Sequence, residues 1–337
     1  MRGATQHQIS KGRTLHTCKP PVSSLTAWLK GTSTDTPGYG HLLLEAKLPG
    51  SPAVAASLRP YFESAHLDAR EAFHAEAGLD LHPDAADGAI DVQYPSCLPT
   101  SARHGLFGEV LAGLVVETYP TVGSYDWSVP VFLFRYHADV AKYLFALARD
   151  ETRTRQLWGR FGDDFIGVSL GADGAVQRFI VGEAKWRKSV TKTAADDLLL
   201  GSRIEEPKGS GTYVRQSDGI WTAFERALPV PHGLKQLQSI LIEGAPDEYA
   251  EAIVSLDAVL ALRQPRTIPR TDLVIVAGDS PVRRKSGESN VSPTNRPGEY
   301  KAGRDLQVVE VFLTLGADLI ESLYSSLWSG GGKHGTP

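Results

Sequence analysis

The stretch from residue 161 to 187, FGDDFIGVSLGADGAVQRFIVGEAKWR, constrains what this chain can fold into more than any other. Two apolar runs, 165–170 and 175–181, are joined by Gly171-Ala172-Asp173-Gly174, residues that tolerate the positive φ of a tight turn. The pattern predicts a β-hairpin. Its charges sit at the ends: Asp163 and Asp164 open the first strand, and Glu183 and Lys185 close the second. Because side chains alternate across a strand, Glu183 and Lys185 share one face and Ala184 points to the other. The neighbouring strand can bring Asp164 onto that same face. Two carboxylates and an ammonium converging at the ends of apolar strands are costly to bury alone, and a divalent cation is the simplest partner.

The chemistry that fits is metal-dependent hydrolysis of a phosphodiester, which requires stabilising charge on the phosphoryl and leaving oxygens while activating a water. Mg²⁺, with Mn²⁺ as its substitute, prefers oxygen ligands and keeps several waters, so few protein donors suffice. Asp164 and Glu183 are the expected ligands, with the Ala184 carbonyl as a third. Lys185 would orient or activate the water and offset charge on the scissile phosphate. Glu109, an acid in the small and apolar segment 104–117, would complete the site as a ligand or through a water; the plain alternative is a helix acid facing solvent.

The rest of the chain sets limits on this site. Its 337 residues can bury a large core, and a net charge of −4 excludes a uniformly basic nucleic-acid binder. Cys18 and Cys97 have no metal or disulfide spacing, and no apolar run is long enough for a bilayer, so a soluble cytoplasmic protein is expected. Residues 1–40 read as loosely ordered at their start. A strand is predicted over 41–48, a helix over 53–77 broken at Pro60, and a Pro- and Gly-rich connection over 82–102. This divides the chain into an N-terminal region, 1–100, and a core, 101–330. In the core the pattern predicts helices over 104–117 and 138–148 around a strand at 129–136, and a helix through Leu200 with a capping-box start at Thr193. Residues 201–231 read as turn-rich. Two helices are predicted near 234–241 and 249–260, strands at 272–277 and 306–315 flank a polar loop, and a last helix ends near Trp328. The fold class is α/β, with a central mixed sheet flanked by helices.

An acid on a helix, an aspartate heading a hairpin, and Glu183-Ala184-Lys185 at its far end together resemble the PD-(D/E)xK nuclease superfamily, which implies a restriction-endonuclease-like core. The details PheGlyGlu at 107–109, GlyAspAspPheIleGly at 162–167, ValGlyGluAlaLys at 181–185 and ValGluValPheLeuThrLeu at 309–315 resemble the HamA nuclease subunits of the Hachiman anti-phage system. The likeness covers residues 104–328. It implies a DNA endonuclease working with a helicase-like partner in bacterial defence, with Glu109, Asp164, Glu183 and Lys185 in its active site. Asp163 competes with Asp164 as ligand, and the Gly-x-Asp-x-Ile spacing favours Asp164. The competing class is a catalytically silent DNA-sensing or regulatory subunit on a nuclease-like fold, and RNA is an alternative substrate.

Other features read more plainly. Leu44-Glu45-Ala46-Lys47 repeats Glu-Ala-Lys without an upstream hairpin acid and is expected to be a solvated strand edge. Arg187, Lys188 and Lys192, like Arg283 to Lys285, read as wet basic surface, with phosphate contact as the alternative. The Gly-rich 330–336 has no following helix and reads as a tail. His104, His137 and His232 lack zinc spacing, and Gln236 and Gln238 read as helix surface.

Overall fold

The computed structural model describes residues 14–79, 94–95, 97–134, 165–228, 230–231, 233–260 and 267–329. The predicted helix at 138–148, together with Asp163, Asp164, His137, His232 and the Gly-rich tail, lies outside the described residues.

The described chain is α/β, and its centre is a mixed six-stranded sheet. β1 (Leu29–Thr36) and β2 (Tyr39–Ala46) form a hairpin, with Gly38 at φ 74° in its turn. β3 (Phe165–Leu170) and β4 (Val176–Arg187) form the second hairpin, and Gly174 adopts φ 81° in the predicted turn. β7 (Arg270–Asp279) and β8 (Asp305–Leu313) complete the order β1-β2-β8-β7-β4-β3. The four inner strands run parallel, and each edge strand is antiparallel to its neighbour. The sheet therefore takes strands from both sides of residue 100. Inner strands covered on both faces must be apolar along their whole length, which is why β7 and β8 read as Val- and Leu-rich runs.

One sheet face is covered by α1 (Val22–Trp28), α2 (Pro52–Leu79), α3 (Thr100–Thr118) and α8 (Gly316–Ser326). The sequence predicts a break in α2 at Pro60, yet the helix continues through it. Proline removes one backbone bond, but Leu58, Tyr61 and Phe62 on the turns around it are at most 1% exposed, and their burial outweighs the loss. α3 is buried along 107–116, and its glycines permit close packing: a methyl at Gly113 would lie 2.4 Å from the Phe132 ring.

The other face divides in two. α6 (Leu234–Gly244) and α7 (Ala250–Leu260) cover the β3–β4 side, whereas α4 (Lys192–Leu200), α5 (Ile220–Arg226) and the connection between β7 and β8 cover the remainder. The N-cap of α4 is Thr191, whose Oγ1 accepts from the Ala194 amide at 3.1 Å, two residues before the predicted start. The turn-rich 201–231 contains α5 and a small hairpin, β5 (Arg203–Glu205) with β6 (Tyr213–Arg215). Gln238 is buried rather than on the surface, donating to Asp257 at 2.8 Å.

Two more readings change. Residues 129–134 are buried but form no ladder; a bridge joins Ser128 to Val168, and the Pro130 carbonyl accepts from the His16 amide. An apolar run reports burial, and Pro130 removes a donor that a strand needs. The polar segment 29–36, unrecognised as structure, is an edge strand whose Thr and Ser side chains suit an exposed pleat.

His16 is wedged edge-on between Tyr61, at 4.4 Å, and Phe132, at 5.1 Å. Burial, aided by nearby Lys19 and only partly offset by the Ser64 backbone, pushes its pKa down to about 4. The unfolded chain then binds the proton more readily, so stability is fully present above about pH 6.5 and is lost as pH falls toward 4. Denaturant titrations at neutral and mildly acidic pH should show a loss approaching about 3 kcal/mol from this group. In His16→Phe that part of the pH dependence should be gone.

Candidate active site

β3 and β4 pair regularly from Phe165↔Gly182 to Ser169↔Arg178. Asp164 directly precedes Phe165 in the chain, and Glu183 directly follows Gly182. From Glu183 onward β4 continues along β7, pairing Glu183↔Val274, Ala184↔Ile275 and Lys185↔Val276 as far as Arg187↔Gly278. The register is unbroken, so Glu183 and Lys185 project from one face and Ala184 from the other. Lys185 Nζ donates to Glu183 Oε2 in an ion pair. The Glu183 and Lys185 side chains are 18% and 29% exposed, beside Val274 and Val276, which are wholly buried. A carboxylate and an ammonium thus stand half-open to solvent on an apolar floor, where charge is screened less than on an open surface.

Gly182 makes the close approach of β4 to β7 possible. A methyl there would lie 2.3 Å from the Leu273 carbonyl oxygen. Gly182→Ala should therefore lower stability by about 1–3 kcal/mol, read as a fall in the urea midpoint, and should disturb Glu183 next to it.

Glu109 is buried at 6% exposure, which removes the reading of a helix acid facing solvent. It stands in the α3 layer on the Ala184 side of β4: a methyl at its neighbour Gly108 would lie 3.5 Å from Ala184 Cβ. Its charge, second to burial, helps push the Tyr94 hydroxyl pKa up, and for Tyr324 it acts in the same direction after burial and Tyr94. Both hydroxyls bond to the ring of buried His66, at 3.0 and 3.1 Å. His104, one turn earlier, lies against Trp186 at 5.6 Å, and burial lowers its pKa.

Leu44-Glu45-Ala46-Lys47 is not a solvated edge. β2 is an inner strand, and Glu45 accepts from Arg284 Nη1 at 2.9 Å and from the Gly287 amide at 3.0 Å. Arg284 also lies over Phe312, 3.5 Å from its ring centre. Glu310, unexposed on β8, accepts from the Asn290 amide at 2.7 Å and faces His41 at 3.6 Å. Asp272, unexposed on β7, accepts from Arg270, Arg304 and the Tyr300 hydroxyl. These three buried acids anchor the long connection between β7 and β8 onto the sheet. The visible signal for Glu310 is an acid inside the apolar run 308–313; for Glu45, and for Asp272 apart from Arg270 two residues before it, the partners are too distant in sequence to be read.

Among the described residues no helix is long and apolar enough to cross a membrane. No family model matches the chain, and no curated protein matches it.

Proposed function

We propose that this chain is a metal-dependent endonuclease of the PD-(D/E)xK type, acting on DNA with a helicase-like partner in bacterial anti-phage defence. The observation that carries the reading is the Glu183–Lys185 ion pair, half-open on β4 at the end of the β3–β4 hairpin. It agrees with the acid-and-lysine pattern of the nuclease superfamily.

Glu183 offers hard oxygen donors suited to Mg²⁺ or Mn²⁺, and Asp164 and the Ala184 carbonyl are assigned beside it. When bound, the cation would polarise the phosphoryl group and favour ionisation of a water. Lys185 holds a proton at Nζ, donates it in a hydrogen bond to Glu183, and offers its positive charge to the phosphate oxygens. In the free chain the two side chains hold each other in place, so Lys185 is pre-positioned for a phosphate that approaches Glu183. Glu109, on the helix packed against Ala184, stands on the face of β4 opposite Glu183 and Lys185 and is given no place in the ligand set.

The test is cleavage of supercoiled plasmid, single-stranded DNA and RNA by the purified chain with Mg²⁺ or Mn²⁺, with and without EDTA, alone and beside the helicase-like partner. EDTA-sensitive cutting is expected. Silence under every condition, with binding retained, would assign the chain to the DNA-sensing class instead.

A further inference from the structure

We propose that Arg187, Lys188, Arg283 and Lys285 form one cationic ledge that holds the sugar-phosphate backbone of a nucleic-acid strand beside Glu183 and Lys185; this rests on the nuclease reading above. All four residues are exposed. Arg187 ends β4 opposite Gly278, and Lys188 follows it. Arg283 and Lys285 lie just beyond the end of β7, so both pairs stand at the carboxyl ends of adjacent parallel strands. In open α/β sheets that end is where ligands gather.

The two pairs belong to one surface because their segments are tied together. The Val190 amide donates to the Asp279 carbonyl at 3.0 Å, Asn290 Nδ2 to the Val190 carbonyl at 3.2 Å, and Lys192 Nζ to the Asn290 carbonyl at 2.8 Å. Arg284, between Arg283 and Lys285, turns inward onto Glu45 and Phe312 with its side chain 8% exposed. The residue between the two outward cations is therefore an anchor, and their spacing is set before any ligand arrives, which lowers the ordering cost of binding.

Charge supports a polyanionic ligand. The whole chain carries −4, so this gathering of cations stands against an acidic background. Acids lie nearby as well: Glu288, exposed, accepts from the Lys285 amide, Asp196 accepts from Lys192, and Asp279 at the end of β7 accepts from the Gly316 amide. Guanidinium and ammonium groups at a sheet end bind phosphate oxygens and read no base. Val282 is fully exposed beside Arg283, but a single apolar side chain is too little to insert into an anionic lipid surface, and the adjacent ion pair favours a phosphodiester.

The experiment measures binding of labelled single-stranded DNA, RNA and duplex to the full chain in EDTA, which separates binding from cutting. Affinity is followed against salt for wild type, Arg187→Ser/Lys188→Ser, Arg283→Ser/Lys285→Ser, the fourfold combination, and Lys208→Ser on the exposed turn between β5 and β6. Each double variant should weaken binding about tenfold or more and lower the slope of log affinity on log salt by roughly 1.5, since each lost phosphate contact removes about 0.7–0.9. Lys208→Ser should match wild type, and unchanged circular dichroism should exclude unfolding. The DNA and RNA arms identify which backbone is preferred. Unchanged affinity and slope in the fourfold variant would overturn the ledge, as would wild type that ignores every oligonucleotide or prefers phosphatidylserine vesicles. Ledge-dependent binding without cutting in Mg²⁺ would sustain the ledge while the nuclease reading fell. Cutting and binding by the fourfold variant at the wild-type level would do the reverse.

Discussion

Glu183→Gln and Lys185→Ala should each reduce Mg²⁺-dependent cleavage by about 10²–10⁴-fold while leaving the chain folded. Glutamine keeps the shape of Glu183 but removes the charge that would hold the cation, and it weakens the hold on Lys185 Nζ. Alanine at 185 removes the cation that pairs with that carboxylate on β4. Both side chains are partly open, so neither replacement leaves a large cavity, and thermal unfolding should move little. A retained melting curve with lost cutting would place the chemistry at the end of the hairpin. Equal cutting by wild type and both variants would sink the assignment. Lys185→Arg offers a finer measure: a planar guanidinium keeps the charge but not the point geometry of an ammonium, so partial activity at most is expected.

The largest loss of stability should come from Asp272→Ala. The carboxylate is unexposed and accepts from Arg270 Nε at 2.7 Å, the Tyr300 hydroxyl at 2.6 Å, and Arg304 Nε at 3.0 Å. Arg270 is itself 3% exposed. Removing the acid leaves two guanidiniums without the carboxylate that each faces inside the sheet, a change that costs about 3–5 kcal/mol. Tyr300 and Arg304 both belong to the connection that carries Arg283 and Lys285, so the variant should also loosen that connection. Equilibrium unfolding in urea would read the first effect, and limited proteolysis between residues 281 and 304 the second. A loss under 1 kcal/mol would mean that this network adds little to the sheet. Because Asp272 pairs with Val181, two residues before Glu183, whatever fraction remains folded should still cut; this separates its role from that of Glu183.

These outcomes divide between what local sequence encodes and what only distant contacts supply. The hairpin was legible because its signals are local: two apolar runs, a turn with Gly174 at positive φ, and charges two residues apart on one strand. The same holds for α3, β7, β8 and α8, whose apolar runs are long and bounded by polar segments. The pairing of Glu183 with Lys185 follows from strand alternation alone.

Where sequence reading failed, a distant partner decided the outcome. Pro60 ends a helix in isolation, and only the packing of Tyr61 and Phe62 carries α2 through it. The run at 129–134 is as apolar as β7, yet it forms no ladder, because burial and strand pairing are separate demands. Glu45 and Glu183 share the triplet Glu-Ala-Lys. One is sealed by Arg284 and Gly287, more than two hundred residues away, and the other stands half-open beside its own lysine. Sequence by itself determined that an acid and a lysine would share a face of a hairpin strand in an α/β sheet. Only the tertiary structure decided which Glu-Ala-Lys was closed by an arginine and which stayed partly open to solvent beside its own lysine, because burial of a charge depends on partners that spacing along the chain does not reveal.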